Sequence, residues 1–187
     1  MNSPRPLLGP ALDAFGAKVH AVPAGAWSKS TPCTEWSVRD LVNHVVAEHL
    51  WVPHLLHGET IADVGERYDG DVLGADPVHA WDEAGAASSA AWQALPSDDV
   101  TVHLSFGDVP AGEYAEQMLA DLVVHGWDLA RGAGLDESFD PAAVEHVLAY
   151  VEPQAKLWRD AGIFGEPVEV DSADPGARLL GVTGRRP

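Results

Sequence analysis

Cysteine, basic side chains and long apolar runs are what this chain of 187 residues has least of. Its single cysteine, Cys33, excludes an intrachain disulfide and any cysteine-rich zinc knuckle. It carries 11 Lys and Arg against 29 Asp and Glu, a net charge of −18 with His neutral. That balance argues against nucleic acid and anionic membrane surfaces as partners, because both attract clustered cations.

No apolar run approaches the ~18 residues that a membrane-spanning helix needs. The first residues, Met1–Pro6, lack the long apolar stretch of a signal peptide. We therefore expect a cytoplasmic protein.

Apolar residues with helical spacing are what the chain has in quantity. Hydrophobic residues make up 46% of it, enough for a sizeable core, and the length fits one domain. Apolar positions at steps of three and four predict five long helices, the second with a kink or an end at Pro53 and the last interrupted near Pro153. The predicted elements are helices over residues 7–20, 38–57, 77–95, 112–131 and 142–161, a short helix over 61–68, a short strand over 100–104, and an extended tail over 162–187.

The stretch from Ala120 to Ala130 is apolar on almost every side, which predicts a buried helix. Asp121 and His125 lie inside it, four residues apart, so both side chains share one face with Cβ atoms roughly 6 Å apart. A buried carboxylate and imidazole are costly unless they are paired, hydrogen-bonded or bound to a metal. Two hypotheses follow: an Asp–His hydrogen bond within a helical core, or two ligands of a divalent metal.

His44 is a candidate third ligand, because it falls on the core stripe of the second helix. Facing helices of a bundle build metal sites in the core. His44, Asp121 and His125 would form a set of two imidazoles and one carboxylate, which suits zinc, nickel or iron(II) and leaves positions open for water or substrate. An open position makes Lewis-acid or metal-activated nucleophile chemistry available.

Each further polar candidate has a structural alternative. Glu48, on the His44 stripe, is expected to be solvated or beside the metal rather than a fourth ligand. Asp128 could cap a loop amide or orient a ligating histidine. Arg131 could hold a substrate carboxylate, or be a surface cation at the helix end. Cys33 could be a nucleophile, but no base is identifiable beside it in the sequence, so we predict an inert thiol.

The remaining histidines and tryptophans are assigned mostly to structure. A lone histidine on an apolar stripe is more often a core residue than a ligand. Three histidines lie off the direction of His44 and are predicted at the surface or in loops: His49, His54 and His57. Four tryptophans are expected to pack, or to form an aromatic wall at a pocket mouth: Trp27, Trp36, Trp51 and Trp127.

Two segments, Thr31–Val45 and Asp121–Ala130, together resemble the DinB-like metal-binding bundles. More narrowly, they resemble the actinobacterial group related to mycothiol-dependent maleylpyruvate isomerase. Residues 164–168 and 178–187 resemble an uncharacterised branch of that group, so the resemblance covers nearly the whole chain. It implies an all-α, DinB-like four-helix bundle with a short extra helix or β-hairpin-like segment. Chain length predicts a single domain, 1–187, and the Gly- and Pro-rich composition of residues 162–187 predicts an extended tail that packs on the bundle.

The resemblance implies the same three metal ligands, His44, Asp121 and His125. Members bind zinc or nickel, and several use a low-molecular-weight thiol such as mycothiol as a metal-bound thiolate, since coordination lowers the pKa of a thiol. The implied activity is that of a thiol-dependent transferase or isomerase acting on a small electrophilic molecule, with Asp128 or Arg131 assisting. A monomer or homodimer is expected, with small-molecule partners only.

Two alternatives remain open at this point. One is a non-catalytic metal-binding or stress-associated bundle, and the other is a metal-free helical core that acts through its surface. Two departures from the isomerase argue against maleylpyruvate as the substrate. Asp121 stands where the isomerase has the longer Glu, and the chain stops without the isomerase's extra C-terminal domain.

Overall fold

The computed structural model describes residues 2–187, and its contacts divide into two compact units, the first extending to Glu137 and the second being Ser138–Pro187. The first unit holds most of the helical residues and all of the predicted metal ligands. Its elements are α1 (Arg5–Ala21), α2 (Val38–Leu56), α3 (Ile61–Val64), α4 (Pro77–Ala94), β1 (Thr101–Leu104), β2 (Gly107–Pro110) and α5 (Ala111–Ala133).

The four long helices of the first unit form a bundle. Helix α1 packs on α4 and α5, and α2 packs on the same two helices, so each helix has two neighbours in a ring. The core between them is apolar and fully enclosed, with Leu41, Val45 and Leu119 at 0% exposure. The all-α four-helix architecture predicted from the sequence is confirmed. No helix within residues 2–187 is both long enough and apolar enough to cross a bilayer.

Helix α2 begins where its capping residues predict. The Ser37 side chain accepts a hydrogen bond from the backbone N–H of Asp40, and the Asp40 side chain accepts one from the backbone N–H of Ser37, a reciprocal capping box. Pro53 does not end the helix, which continues to Leu56. The helix tolerates Pro53 because the proline lies within the last turn, close to where the regular hydrogen bonds stop.

A β-hairpin joins α4 to α5. Strands β1 and β2 pair antiparallel, from Thr101 opposite Pro110 to Leu104 opposite Gly107. The strand predicted over residues 100–104 is therefore present as β1. Its partner, β2, lies in a segment for which the sequence predicted only a connection to the next helix. Gly107 adopts a φ of 133°, which the tight connection between the strands requires.

Helix α2 is buried on two sides, and this places His49 differently from the prediction. His49 was expected at the surface or in a loop, but its exposure is 0%. It is five residues after His44, so its side chain points toward α4 rather than α5. Its Nδ1 atom is 2.9 Å from the hydroxyl of Ser88, and its ring meets Trp81 edge-on with centroids 5.5 Å apart. The small side chains of α4 allow the close packing that encloses it.

The second unit is also helical. It contains α6 (Pro141–Val151), a 3-10 turn over Glu152–Gln154, α7 (Ala155–Asp160) and α8 (Pro175–Val182). The interruption predicted near Pro153 is present as the 3-10 turn. Residues 165–174 have no regular structure, as predicted for a tail, but α8 follows them and packs on α6. That the whole chain forms one domain stays a prediction.

Candidate metal centre

The three predicted ligands meet between α2 and α5. His44 Nε2 lies 3.5 Å from Asp121 Oδ1, and His125 Nε2 lies 3.3 Å from the same oxygen. One ligand atom from each residue lies within 4.8 Å of the others. The two imidazole rings meet nearly edge to face, with centroids 5.3 Å apart. Residues 77 positions apart in the chain are thus brought to one point by the packing of two helices.

The donor set fits a divalent cation. Asp121 Oδ2 is buried and has no hydrogen-bond partner among residues 2–187, although a buried carboxylate oxygen is costly when left unpaired. Two imidazole nitrogens and a carboxylate oxygen are ligands that zinc and nickel accept, and a set of three leaves coordination positions for other molecules. His44, Asp121 and His125 are therefore suited to hold such an ion, and their role as ligands stays a prediction.

Asp128 supports His125 from the side away from Asp121. Its Oδ2 atom lies 3.0 Å from His125 Nδ1, and the Asp128 side chain is 0% exposed. Helical spacing explains the contact, because Asp128 is one turn after His125 on α5. A proton held on Nδ1 by this carboxylate leaves the Nε2 lone pair directed at the shared centre, an arrangement common for ligating histidines. Of the two alternatives for Asp128, the one in which it orients a histidine agrees with this geometry.

The carboxylates decide the charge of the two histidines in the metal-free protein. Burial by itself would lower the pKa of His125, but Asp121 and Asp128 outweigh burial and raise it well above its ordinary value. Burial likewise opposes protonation of His44, while Asp121 raises the pKa of His44. Burial would raise the pKa of Asp121, yet His125 and His44 hold it well below its usual range. The carboxylates therefore favour protonation of both imidazoles in the metal-free protein, and a bound metal would displace those protons.

The loop before α2 covers one side of the two histidines. The ring centroid of Trp36 lies 4.9 Å from that of His44 and 5.9 Å from that of His125. Glu35, just before it, has a φ of 70°, a left-handed conformation that a non-glycine residue adopts at a cost. Trp36 thus forms the aromatic wall that was one alternative for the tryptophans, whereas Trp51 faces Tyr68 at 6.2 Å, away from this loop.

Cys33 lies at the tip of the same loop and does have neighbouring bases. Its Sγ is 3.1 Å from Asp128 Oδ2 and 3.6 Å from His125 Nδ1. The sequence identified no base beside this thiol, whereas the structure places a carboxylate and an imidazole next to it. That the thiol is inert stays a prediction. The sequence could not reveal the contact because the partners are 92 and 95 residues away along the chain.

Gly132 allows the loop to approach α5 this closely. A Cβ atom at this position would lie 3.0 Å from Cγ2 of Thr31, 3.1 Å from Cγ2 of Val38 and 3.2 Å from the carbonyl oxygen of Ser30. A side chain at this position would therefore require these neighbours to move by a few tenths of an ångström.

Two further polar groups lie near the centre. Glu48, one turn after His44, is half-buried, and burial together with the charge of Asp121 raises its pKa. Tyr114, two turns before Asp121 on α5, has a buried hydroxyl without a hydrogen-bond partner in the described chain, and burial raises its pKa. Sequence reasoning missed Tyr114, although its spacing of seven residues from Asp121 places both on one helix face.

Arg131 is directed away from the cluster. Its guanidinium binds both carboxylate oxygens of Glu137, with Nε 2.6 Å from Oε1 and Nη2 2.7 Å from Oε2, and it lies 4.5 Å above the ring of Trp127. This agrees with the alternative that Arg131 is a surface cation at the helix end.

Comparison with known proteins places this arrangement in a family. The model for the mycothiol maleylpyruvate isomerase N-terminal domain matches residues 8–130. The chain belongs to this family. The matched segment of the maleylpyruvate isomerase N-terminal family includes His44, Asp121, His125 and Asp128, and it ends one residue before Arg131.

Relatives and solved structures extend the family likeness over most of the chain. The uncharacterized proteins MT0763 and Rv0738 of Mycobacterium tuberculosis are each 33% identical over 184 residues, covering 94% of this chain and 95% of theirs. A crystal structure of the mycothiol-dependent maleylpyruvate isomerase aligns with a TM-score of 0.71 at 16% identity, covering 97% of this chain and 88% of that one. A histidine-to-alanine mutant of that isomerase aligns with a TM-score of 0.68 at 17% identity, covering 90% and 75%. At identities of 16% and 17%, these two structures show that the chain shares their fold, and they show nothing about its activity.

Proposed function

We propose that this protein binds a divalent metal through His44, Asp121 and His125 and is a thiol-dependent transferase or isomerase for a small electrophilic molecule. Mycothiol, the thiol named for the family, is the thiol that we propose it uses. The observation that carries the proposal is the convergence of two imidazole nitrogens on Asp121 Oδ1, while Oδ2 of the same carboxylate is buried without a hydrogen-bond partner among residues 2–187.

The ligand side chains are enclosed but reachable, which supports a reactive rather than a sealed site. The exposed fractions are 30% for His44, 23% for Asp121 and 13% for His125. Zinc sites that serve only structure are usually closed by four protein ligands, whereas catalytic sites keep a position for water or substrate. Three partly exposed ligands favour the second class.

A divalent metal bound here would lower the pKa of a coordinated thiol and so supply a nucleophile at neutral pH. The residues of the chain perform the other tasks. Asp128 holds the proton of His125 on Nδ1, which keeps Nε2 available at the centre. Trp36 packs against both imidazole rings and excludes water from that side.

Transferase and isomerase activities differ in the fate of the thiol. In a transfer, the thiolate forms a C–S bond with the electrophile, a proton or leaving group balances the charge, and the thiol stays on the product. In an isomerisation, the thiolate adds to a carbon–carbon double bond, rotation follows, and the same C–S bond breaks to return the thiol. Consumption of thiol therefore separates the two activities.

The first test is metal content. The protein, purified without an affinity tag and loaded with zinc or nickel, is expected to hold one ion per chain. His44→Ala and Asp121→Ala should each weaken binding by more than about 100-fold, the upper end of what loss of an outer hydrogen-bond partner costs.

His20→Ala is the matched control, because His20 forms a His–Asp pair with Asp82 at 2.8 Å on an exposed surface. Its metal content should equal that of the wild type. Equal metal retention in the wild type and in His44→Ala would refute the proposed site.

The second test is thiol chemistry. The loaded protein is incubated with mycothiol and a panel of small electrophiles that includes maleylpyruvate, and both thiol loss and product are measured. Turnover that depends on the metal, on mycothiol and on His44 is expected. Full metal retention without any turnover across the panel would instead favour the non-catalytic metal-binding bundle.

A further inference from the structure

Cys33 lies behind His125, on the opposite side of the imidazole from the proposed metal. Its Sγ is 3.6 Å from Nδ1, whereas Nε2 faces Asp121. We propose that Cys33 is a positioning residue for the metal centre, acting through Asp128 on His125. The proposal rests on the proposed function, because it gives the thiol a task only if His125 binds a metal.

The argument begins at Asp128 Oδ2, which receives two donors. The thiol of Cys33 donates to it over 3.1 Å, and His125 Nδ1 donates to it over 3.0 Å. Because Asp128 is 0% exposed, its charge depends on such donors rather than on water. A second donor on the same oxygen fixes the carboxylate in the orientation that keeps the proton on Nδ1 of His125.

The sulfur is held in place by its own loop. The backbone N–H of Cys33 donates to Thr31 Oγ1 over 3.2 Å, and that hydroxyl lies 3.0 Å from the Trp36 carbonyl oxygen. The backbone N–H of Thr31 also donates to the Trp36 carbonyl, over 3.0 Å. The tip of the loop is therefore a closed turn, and Gly132 lets it rest directly on α5. A turn fixed at both ends presents the thiol at a defined point rather than over a range of positions.

Cys33 is placed to position His125, not to replace a ligand. Cys33, His125 and Asp128 also lie close enough together to hold an ion themselves, with one ligand atom from each within 4.8 Å of the others. That set would use the nitrogen of His125 that already bonds to Asp128, so an ion there would compete with the hydrogen bond that orients His125. The two roles predict different spectra, because a ligating thiolate gives a charge-transfer band with cobalt(II) and a positioning thiol does not.

The primary experiment compares the zinc affinity of the wild type with that of Cys33→Ala and Cys33→Ser, by competition with a chromogenic chelator and without any thiol substrate. Cys33→Ala should weaken zinc binding by about 10-fold, the lower end of the effect of outer partners. Cys33→Ser should bind within about threefold of the wild type, since a hydroxyl can also donate to Asp128.

A double-mutant cycle then tests whether the effect passes through Asp128. Asp128→Asn should weaken zinc binding by about 10- to 100-fold. In that background Cys33→Ala should cause no further loss, because the carboxylate through which it acts is gone. Additive losses would overturn the proposal.

The remaining outcomes also decide the matter. A thiolate-to-cobalt band in the wild type that disappears in Cys33→Ala would overturn the positioning role in favour of direct ligation. Equal zinc affinity in wild type and Cys33→Ala would overturn this inference while leaving the proposed function intact. A wild type that binds no zinc at all would overturn both.

Thermal unfolding of the metal-free variants completes the design. Cys33→Ala and the wild type should melt within a few degrees of each other. Equal losses of affinity in Cys33→Ala and Cys33→Ser, accompanied by equal and large drops in melting temperature, would indicate a merely structural role and overturn the proposal.

Discussion

Two histidines five residues apart on α2 have opposite environments. His44 faces α5, where Asp121 Oδ1 lies 3.5 Å from its Nε2 atom. His49 faces α4, where its Nδ1 atom meets the hydroxyl of Ser88 at 2.9 Å and its Nε2 atom is buried without a hydrogen-bond partner in the described part of the chain. Both lie on one helix, so their difference comes from the facing helix alone.

The consequence appears in their protonation. Burial lowers the pKa of His49 to about 4, whereas His44 has a raised pKa because the Asp121 carboxylate outweighs burial. Burial away from a carboxylate therefore favours the neutral imidazole, and burial beside one favours the protonated form, whose proton a metal would displace. At these two positions, the carboxylate on the facing helix distinguishes the candidate ligand from the core histidine.

The largest expected effect that tests this comparison is the pH dependence of metal affinity. His44 and His125 both have raised pKa values in the metal-free protein, so both must lose a proton when a metal binds. Below those pKa values the affinity should fall by up to about 100-fold per pH unit, about tenfold for each proton displaced. Zinc competition titrations from pH 5 to 8 measure this slope, and a slope below tenfold per unit would show that at most one histidine is a ligand.

The next effect concerns His49 and the stability of the metal-free protein. The unfolded chain takes up a proton at His49 near pH 6.5, but the folded protein does so only near pH 4, so stability is complete above 6.5 and falls as the pH drops toward 4. The full loss is about 3 kcal/mol, at 1.36 kcal/mol per pKa unit. Urea unfolding of the wild type and of His49→Gln at several pH values in this range measures the loss as the difference between the free energies of unfolding of the two proteins.

The wild type has to be compared with His49→Gln because the two histidines of the proposed metal site change the stability of the protein with pH in the opposite direction. The raised pKa values of His44 and His125 stabilise the metal-free fold at low pH, and that contribution is lost as the pH rises through them. His49→Gln retains both site histidines, so their contribution cancels in the difference. It should also retain the metal, and loss of metal from this variant would break the distinction between the two sides of α2.

A smaller effect, on stability, is expected from Gly16→Ala, at a buried position of α1. A Cβ atom at Gly16 would lie 2.6 Å from Nε1 of Trp81, whose ring packs on Phe15 and His49. Trp81 must move to make room, which should lower the free energy of unfolding by about 1–3 kcal/mol. Urea denaturation measures the change, and metal stoichiometry should stay at the wild-type value.

The smallest effect is expected from Gly9→Ala, the matched control for Gly16→Ala on the same helix, α1. Gly9→Ala adds a Cβ with no atom within 4 Å, so only the helical preference of the residue changes. We expect an increase in the free energy of unfolding of about 0.5–1 kcal/mol. A loss of stability here, equal to that of Gly16→Ala, would mean that contact with Trp81 is not the cause of the Gly16 effect.

The sequence predicts the helices and the three proposed ligands because both depend on spacing within one element. Asp121 and His125 share a face by helical periodicity, and the stripe of α2 selects His44. His49 was misplaced for the converse reason: periodicity identifies one apolar face, but α2 is buried against α4 as well as α5.

The contact between Cys33 and Asp128 is of another kind. It depends on where a loop rests on a helix, and that depends on a turn with Glu35 in the left-handed region and on the space left by Gly132. No periodic pattern encodes such a placement. The capping box at Ser37 marks where the loop ends, but not where its tip lies.

Gly132 also has a practical consequence for anyone redesigning this protein. It leaves room for Thr31 and for the carbonyl oxygen of Ser30, in the loop that also carries Cys33 and Trp36. Exchanging it for alanine would press a methyl group against these neighbours while His44, Asp121 and His125 keep their own side chains, which offers a way to vary the surroundings of the centre without altering its proposed ligands.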